Sequence, residues 1–149
     1  MKHIKTIDDF KNIKSTDSCI LDNDIDFRGE EINYLLDDYR GVFDGNSYTL
    51  KNIVISPSIF RDEQPVSLII STFKATIKNL NIDNLQFKVN YNGYSPNISA
   101  LCDTCEYSIL ENINIRTKDD ISLFNIENKN TYSNIKINNK IYNYGEKLW

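Results

Sequence analysis

Apolar and polar positions alternate in short bursts along the chain, and one seven-residue form of the pattern occurs four times: Thr49–Ile55, Thr76–Ile82, Ile109–Ile115 and Thr131–Ile137. Each copy closes on two apolar residues separated by one, as in Leu80 and Ile82 or Ile113 and Ile115, the spacing of a strand with one inward face. The apolar residue ahead of them (Leu50, Ile77, Leu110 or Tyr132) lies three positions earlier and breaks the period of two, so a corner is needed in between. Asn52, Asn79, Asn112 and Asn134 stand there. Asn is the non-glycine residue that best tolerates left-handed backbone, and its amide satisfies backbone groups nearby. Stacked coils with a ladder of asparagine side chains are the expectation.

The copies start 27, 33 and 22 residues apart. The shortest interval reads as one coil and the longer ones as a coil plus a loop, the added residues being Ser56 to Pro65 and Lys88 to Asn97. A second apolar run precedes each copy: Tyr39–Phe43, Val66–Ile70, Ile98–Leu101 and Ile121–Ile126. Thr6 followed by Ile7, Phe10 and Ile13 on one face, with Asp8 and Asp9 in the first turn, predicts a short helix closing the open end. One all-β domain results: a helical cap over 1–16, about four coils over 17–137, and a C-terminal cap or interface over 138–149.

The runs Asp24-Ile-Asp-Phe-Arg-Gly29 and Tyr39-Arg-Gly-Val-Phe-Asp-Gly-Asn-Ser-Tyr-Thr-Leu-Lys-Asn-Ile-Val-Ile55 resemble the opening coils of right-handed parallel β-helix proteins of the pectate-lyase-like superfamily, including bacterial proteins with GLUG-type repeats. The resemblance spans roughly residues 20 to 137 and implies a short right-handed parallel β-helix. It implies no single activity, because the superfamily hosts lyases, hydrolases, adhesins and inert scaffolds. Later coils depart from it, with Ile, Ser and Cys at the small-residue and glycine positions.

Charge changes the picture more than composition does. The net charge is −4, yet residues 1–44 carry 11 acids against 6 bases while residues 45–149 carry 10 against 11. The stretch from Asp17 to Asp44 holds nine acids, which repel phosphate, so no direct nucleic-acid binding is expected there. Three cysteines, an odd number, and an N-terminus without an apolar signal core lead to an expected cytoplasmic location in a bacterial host, with no membrane contact.

Candidate chemistry reduces largely to structure. Asp44 sits in Phe-Asp-Gly-Asn, a turn sequence, and no pair of acids recurs on successive coils with a base beside it, as glycoside or lyase chemistry requires. Cys102-Asp-Thr-Cys105 lacks a helical redox context, and a zinc site would have only Cys19 and His3 to complete it, so inward-facing thiols are expected. His3 is the one histidine, in a terminus expected to be mobile, and no phosphate-cradling motif occurs. No catalytic residue, metal site or cofactor is expected.

Function is therefore expected on the surface, as a non-catalytic interaction protein whose acidic face covers the basic channel of a nucleic-acid-binding protein, in the manner of phage or mobile-element anti-defence inhibitors such as anti-CRISPR proteins. The partner-binding set is Asp22, Asp24, Asp26, Glu30, Glu31, Asp37 and Asp38, with Tyr91 and Tyr94 of the second loop. The alternative is a carbohydrate-binding module or minimal polysaccharide lyase, resting on the fold resemblance and on Tyr91, Tyr94 and Tyr107. Tyr142, Tyr144 and Trp149 offer a homodimer surface where the last coil ends.

Overall fold

The computed structural model describes residues 1–142. In chain order the elements are β1 (Lys2–Ile4), α1 (Ile7–Phe10), β2 (Cys19–Leu21), β3 (Ile25–Asp26), β4 (Glu31–Ile32), β5 (Val42–Asp44), β6 (Thr49–Lys51), β7 (Val54–Ile55) and β8 (Pro65–Val66). Then follow β9 (Ile69–Phe73), β10 (Thr76–Phe87), β11 (Asn97–Ile98), β12 (Cys102–Glu106), β13 (Ile109–Thr117), β14 (Phe124–Asn128), β15 (Thr131–Ile137) and β16 (Lys140–Tyr142). The described residues are essentially all-β, in parallel sheets compatible with a β-helix-like fold, and among them no sheet closes on itself.

Six strands, β1, β2, β5, β10, β13 and β15, stack in parallel where about four coils were expected. Register partners are Lys2 with Cys19, Cys19 with Phe43, Val42 with Thr76, Thr76 with Ile109 and Ile109 with Thr131, steps of 17, 24, 34, 33 and 22 residues. The two extra passes lie before the first seven-residue copy and lack its asparagine, so the pattern does not reveal them. A second parallel sheet of β9, β12 and β14 keeps the later steps, with Ile69, Cys102 and Phe124 in one row. Each new pass lays the same apolar position on the last one. Phe43, Ile77 and Leu110 form one inner column, and Leu50, Ile82, Ile115 and Ile137 another, all buried.

Three of the four corner asparagines stack as expected. Asn134 Nδ2 donates to Asn112 Oδ1 (3.0 Å), Asn112 Nδ2 to Asn79 Oδ1 (3.1 Å), and Asn79 Nδ2 to the Asp44 carboxylate (3.2 Å). Asn52 belongs to a different ladder, donating to Asp26 (2.9 Å) and accepting from Asn84 Nδ2 (2.8 Å). The first copy therefore stacks on the second half of β10, with Thr49 opposite Asn81 and Leu50 opposite Ile82. Every ladder asparagine has φ between 50° and 59°.

The two segments expected as loops are also stacked. Asn92 Nδ2 donates to Ile59 O, Ser95 N to Asp62 Oδ1 (2.8 Å), and β8 pairs with β11. Buried Ile59 and Gln64 hold the lower segment in place, the Gln64 amide bridging Phe60 N and Ser58 O across its own turn.

At the N-terminal end, α1 is a single turn whose Thr6 and Asp9 form a reciprocal capping box, and Phe10 inserts against Phe27 and Phe43. The rest of 1–16 is not helical: β1 precedes the turn and places His3 on a strand, not in a mobile end. At the other end β16 folds back antiparallel on β15 through Asn138 and Asn139, both left-handed as a type I′ hairpin requires. Tyr142 is buried there against Phe124 and Tyr132, with both tyrosine hydroxyls donating to Glu127, so it is not free for a dimer surface. Tyr144 and Trp149 lie outside the described residues.

Candidate functional site

The acidic stretch wraps the N-terminal end, and its carboxylates divide into tied and untied groups. Asp22 meets His3 Nδ1 at 2.7 Å and Lys5 Nζ at 3.8 Å. Asp24 accepts from Thr49 N at 2.8 Å, which fastens β6 to the preceding pass. Asp26 Oδ1 accepts from Arg28 N (2.8 Å) and from Asn52 Nδ2 (2.9 Å), and these donors, the Asn52 amide first, hold its carboxyl below the usual carboxylate range. Asp38 pairs with Arg40 Nε at 3.2 Å, and Glu31 reaches Lys88 Nζ at 3.1 Å on the surface. Glu30 and Asp37 have neither an ion pair nor a side-chain hydrogen bond among the described residues.

These two untied acids and Glu31 border a cavity of about 560 Å³. It lies between α1, which stops after one turn, and the chain from Glu30 to Tyr39, which is pinned by Ile32 in β4, by Leu35 N to Leu68 O, by Ile70 N to Leu36 O and by Tyr39 N to Ser71 O. Ile7, Phe10, Leu35 and Leu36 supply the apolar wall, and Tyr34, 45% exposed, stands at the rim. Lys11 is also on the rim, held by Asp8 at 3.1 Å. On the other flank of α1 an open depression is bordered by Asp24, Asp26 and Glu30. Sequence reasoning missed Tyr34, whose one signal was a large side chain amid acids.

Tyr91 and Tyr94 are exposed on the turn around left-handed Asn92 and Gly93, and neither lines the cavity. The structure thus gathers Glu30, Glu31 and Asp37 and leaves the tyrosines apart.

Asp44 heads an amide ladder and also accepts from Asn46 N at 2.8 Å, a turn role combined with a stacking one. Cys102 and Cys105 are buried free thiols, as the sequence suggested. Burial pushes the Cys102 thiol up, and Cys105 Sγ accepts from Thr72 Oγ1 at 3.1 Å. Among the described residues no group of three or more His, Cys, Asp or Glu is arranged to hold a metal ion, and no helix is long and apolar enough to cross a membrane. Asp103 is 7% exposed with Oδ1 lacking a partner, and desolvation raises its pKa.

A second concavity of about 310 Å³ runs beside the long amide ladder, lined by Asn79, Asn81, Asn112, Asn114 and Asn134 with Lys136. Asn114 Oδ1 is enclosed there without a hydrogen-bond partner. No family model, curated protein or solved structure matches the chain.

Proposed function

We propose that this chain is a right-handed parallel β-solenoid acting as a non-catalytic binding protein, docking through its N-terminal end onto a basic protein surface such as the channel of a nucleic-acid-binding enzyme. The observation that carries the reading is the cavity at α1, where an apolar wall lies beneath Glu30 and Asp37, two carboxylates with neither an ion pair nor a side-chain hydrogen bond among the described residues, Glu30 feeling only the longer-range charge of Lys11. Carboxylates already tied to the fold gain little from a second cation, whereas untied ones beside apolar surface favour a lysine or arginine whose stem packs on the wall. Tyr34 at the rim adds the amphipathic ring that interfaces favour. A phage or mobile-element inhibitor of a bacterial cytoplasmic defence enzyme fits this reading, on the grounds of size and charge.

The test is capture from bacterial lysate, followed by affinity measured against salt for whatever basic protein is retained. Affinity should fall as salt rises and be lost in a Glu30→Lys/Asp37→Lys variant that remains folded; retention in that variant, or indifference to salt, overturns the reading.

The amide-lined groove favours a second reading, a carbohydrate-binding module. Its uncharged donors and acceptors recur from pass to pass, and Asn114 Oδ1 awaits a donor. Glycan-array binding abolished by Asn114→Ala would promote this reading over the first.

A further inference from the structure

One column of corners differs from the asparagine ladders. Where the long ladder turns, the left-handed residues are Asn79, Asn112 and Asn134. At the end of the second sheet the corresponding residues are Lys74, Tyr107 and Lys129, with φ of 53°, 51° and 53°. They follow directly on Phe73, Glu106 and Asn128, which are partners in register, so the three lie on successive passes about 4.8 Å apart. Left-handed backbone disfavours side chains of these types, and the long ladder fills its equivalent turns with asparagine, although Arg28, Asp38, Ser47 and Glu63 are left-handed elsewhere. Lys74, Tyr107 and Lys129 set long side chains, two cationic and one aromatic, along one edge.

They present a column of alternating cations and rings. Arg40 lies 5.4 Å from the Phe73 ring centroid and Lys74 Nζ 5.4 Å, the Phe73 and Tyr107 rings meet edge-on at 5.7 Å, and Lys129 Nζ lies 5.7 Å from the Tyr107 centroid. Arg40 shares its charge with Asp38, and Lys74 and Lys129 have no carboxylate partner among the described residues. Tyr107 is 43% exposed. A polyanion without flat faces would need only the cations. Rings interleaved with cations match a polyanion that also carries aromatic planes.

We propose that this corner binds single-stranded nucleic acid, with phosphates on Lys74 and Lys129 and a base stacked on Tyr107. Phosphate repulsion by residues 17–44 does not reach this conclusion, because Lys74, Tyr107 and Lys129 lie on later passes. The surface is also separate from the cavity at α1, so either proposal stands or falls without the other.

The test is fluorescence anisotropy of the full chain with a short labelled poly-dT strand over a range of salt, with duplex DNA and inorganic polyphosphate as competitors. Binding should weaken with salt as expected for about two released phosphate counterions. A Lys74→Asn/Tyr107→Asn/Lys129→Asn variant gives the corner the residue its neighbours use, so its thermal midpoint should hold while affinity falls about tenfold or more. Ultraviolet cross-linking of the wild-type chain should map to the peptide containing Tyr107, which keeps the test independent of any variant. No binding, unchanged affinity in the variant, cross-links elsewhere, or competition by polyphosphate equal to that by poly-dT each overturn the proposal.

Discussion

The early passes and the later ones build the same corners with different chemistry. Asn79, Asn112 and Asn134 each occupy a left-handed position and donate one amide to the rung before. Asp26 and Asp44 head the two ladders from one position earlier in register, each accepting the ladder amide and also the backbone N–H two residues on, at Arg28 and Asn46. A directed ladder ends on a member that only accepts, and a carboxylate does that without leaving an idle donor. The lesson is that acid content in the first third is not equivalent to acid surface. Asp24 and Asp26 hold rungs together, and Glu30 and Asp37 do not.

The strongest test of this contrast is at the first glycine after each ladder head, Gly45 next to Asp44 and Gly29 three residues past Asp26. A Cβ on Gly45 would lie 2.3 Å from Asn79 O and 2.7 Å from Leu80 Cα, whereas one on Gly29 meets nothing within 4 Å. Gly45→Ala should cost about 4 kcal/mol or more in urea denaturation, since backbone must move. Gly29→Ala should cost only the strain of its φ of +75°, about 1–2 kcal/mol.

Next in size is an exchange of head and member. Asn79→Asp removes the donor and sets two carboxylates side by side, with an expected loss of about 2–3 kcal/mol. Asp44→Asn keeps the acceptor and should change stability by under about 0.5 kcal/mol. Equal losses in the two variants would show that the ladder has no direction.

A pH series separates Asp26 from Asp103 by sign. The Asp26 pKa is lowered in the folded chain, so its ionised form contributes stability at neutral pH that is lost as pH falls through the folded value. Asp26→Asn should therefore be less stable than wild type near pH 7, the gap closing in acid. Burial raises the Asp103 pKa, so its ionised form costs stability at neutral pH. Asp103→Asn should be more stable by about 1 kcal/mol near pH 7, the advantage fading as the wild-type carboxyl takes up its proton. Thermal midpoints from pH 3 to 8 decide both.

The smallest expected effect is the most informative for function. Glu30→Gln with Asp37→Asn should leave stability within about 0.5 kcal/mol of wild type, because neither side chain holds the fold. A larger loss would mean that these acids, too, belong to the scaffold.

Much of this was legible locally. The rows through Asn79, Asn112 and Asn134 follow from the seven-residue pattern, and the buried thiols from their surroundings. Asn52 was misplaced because β10 offers two left-handed asparagines five positions apart, Asn79 and Asn84, in similar apolar settings. The segments from Ser56 and Lys88 read as loops from their Pro, Gly and polar content, yet they stack through bonds between residues 33 apart. Of the proposed docking residues, nothing in sequence separates Asp24 or Asp26 from Glu30 or Asp37.

The sequence by itself determined that this chain is all-β, that its strands turn at asparagines, and that acids crowd its first third. Strand period and left-handed tolerance are properties of a few adjacent residues, and they survive without knowledge of the fold. Only the tertiary structure decided the register of the first copy, the six passes, which carboxylates are tied, and the alignment of Lys74, Tyr107 and Lys129 on one edge. Each of these depends on residues 17 to 34 positions apart meeting across a rung. Those pairings are selected by the summed burial and hydrogen bonding of all rungs together, which no single segment encodes.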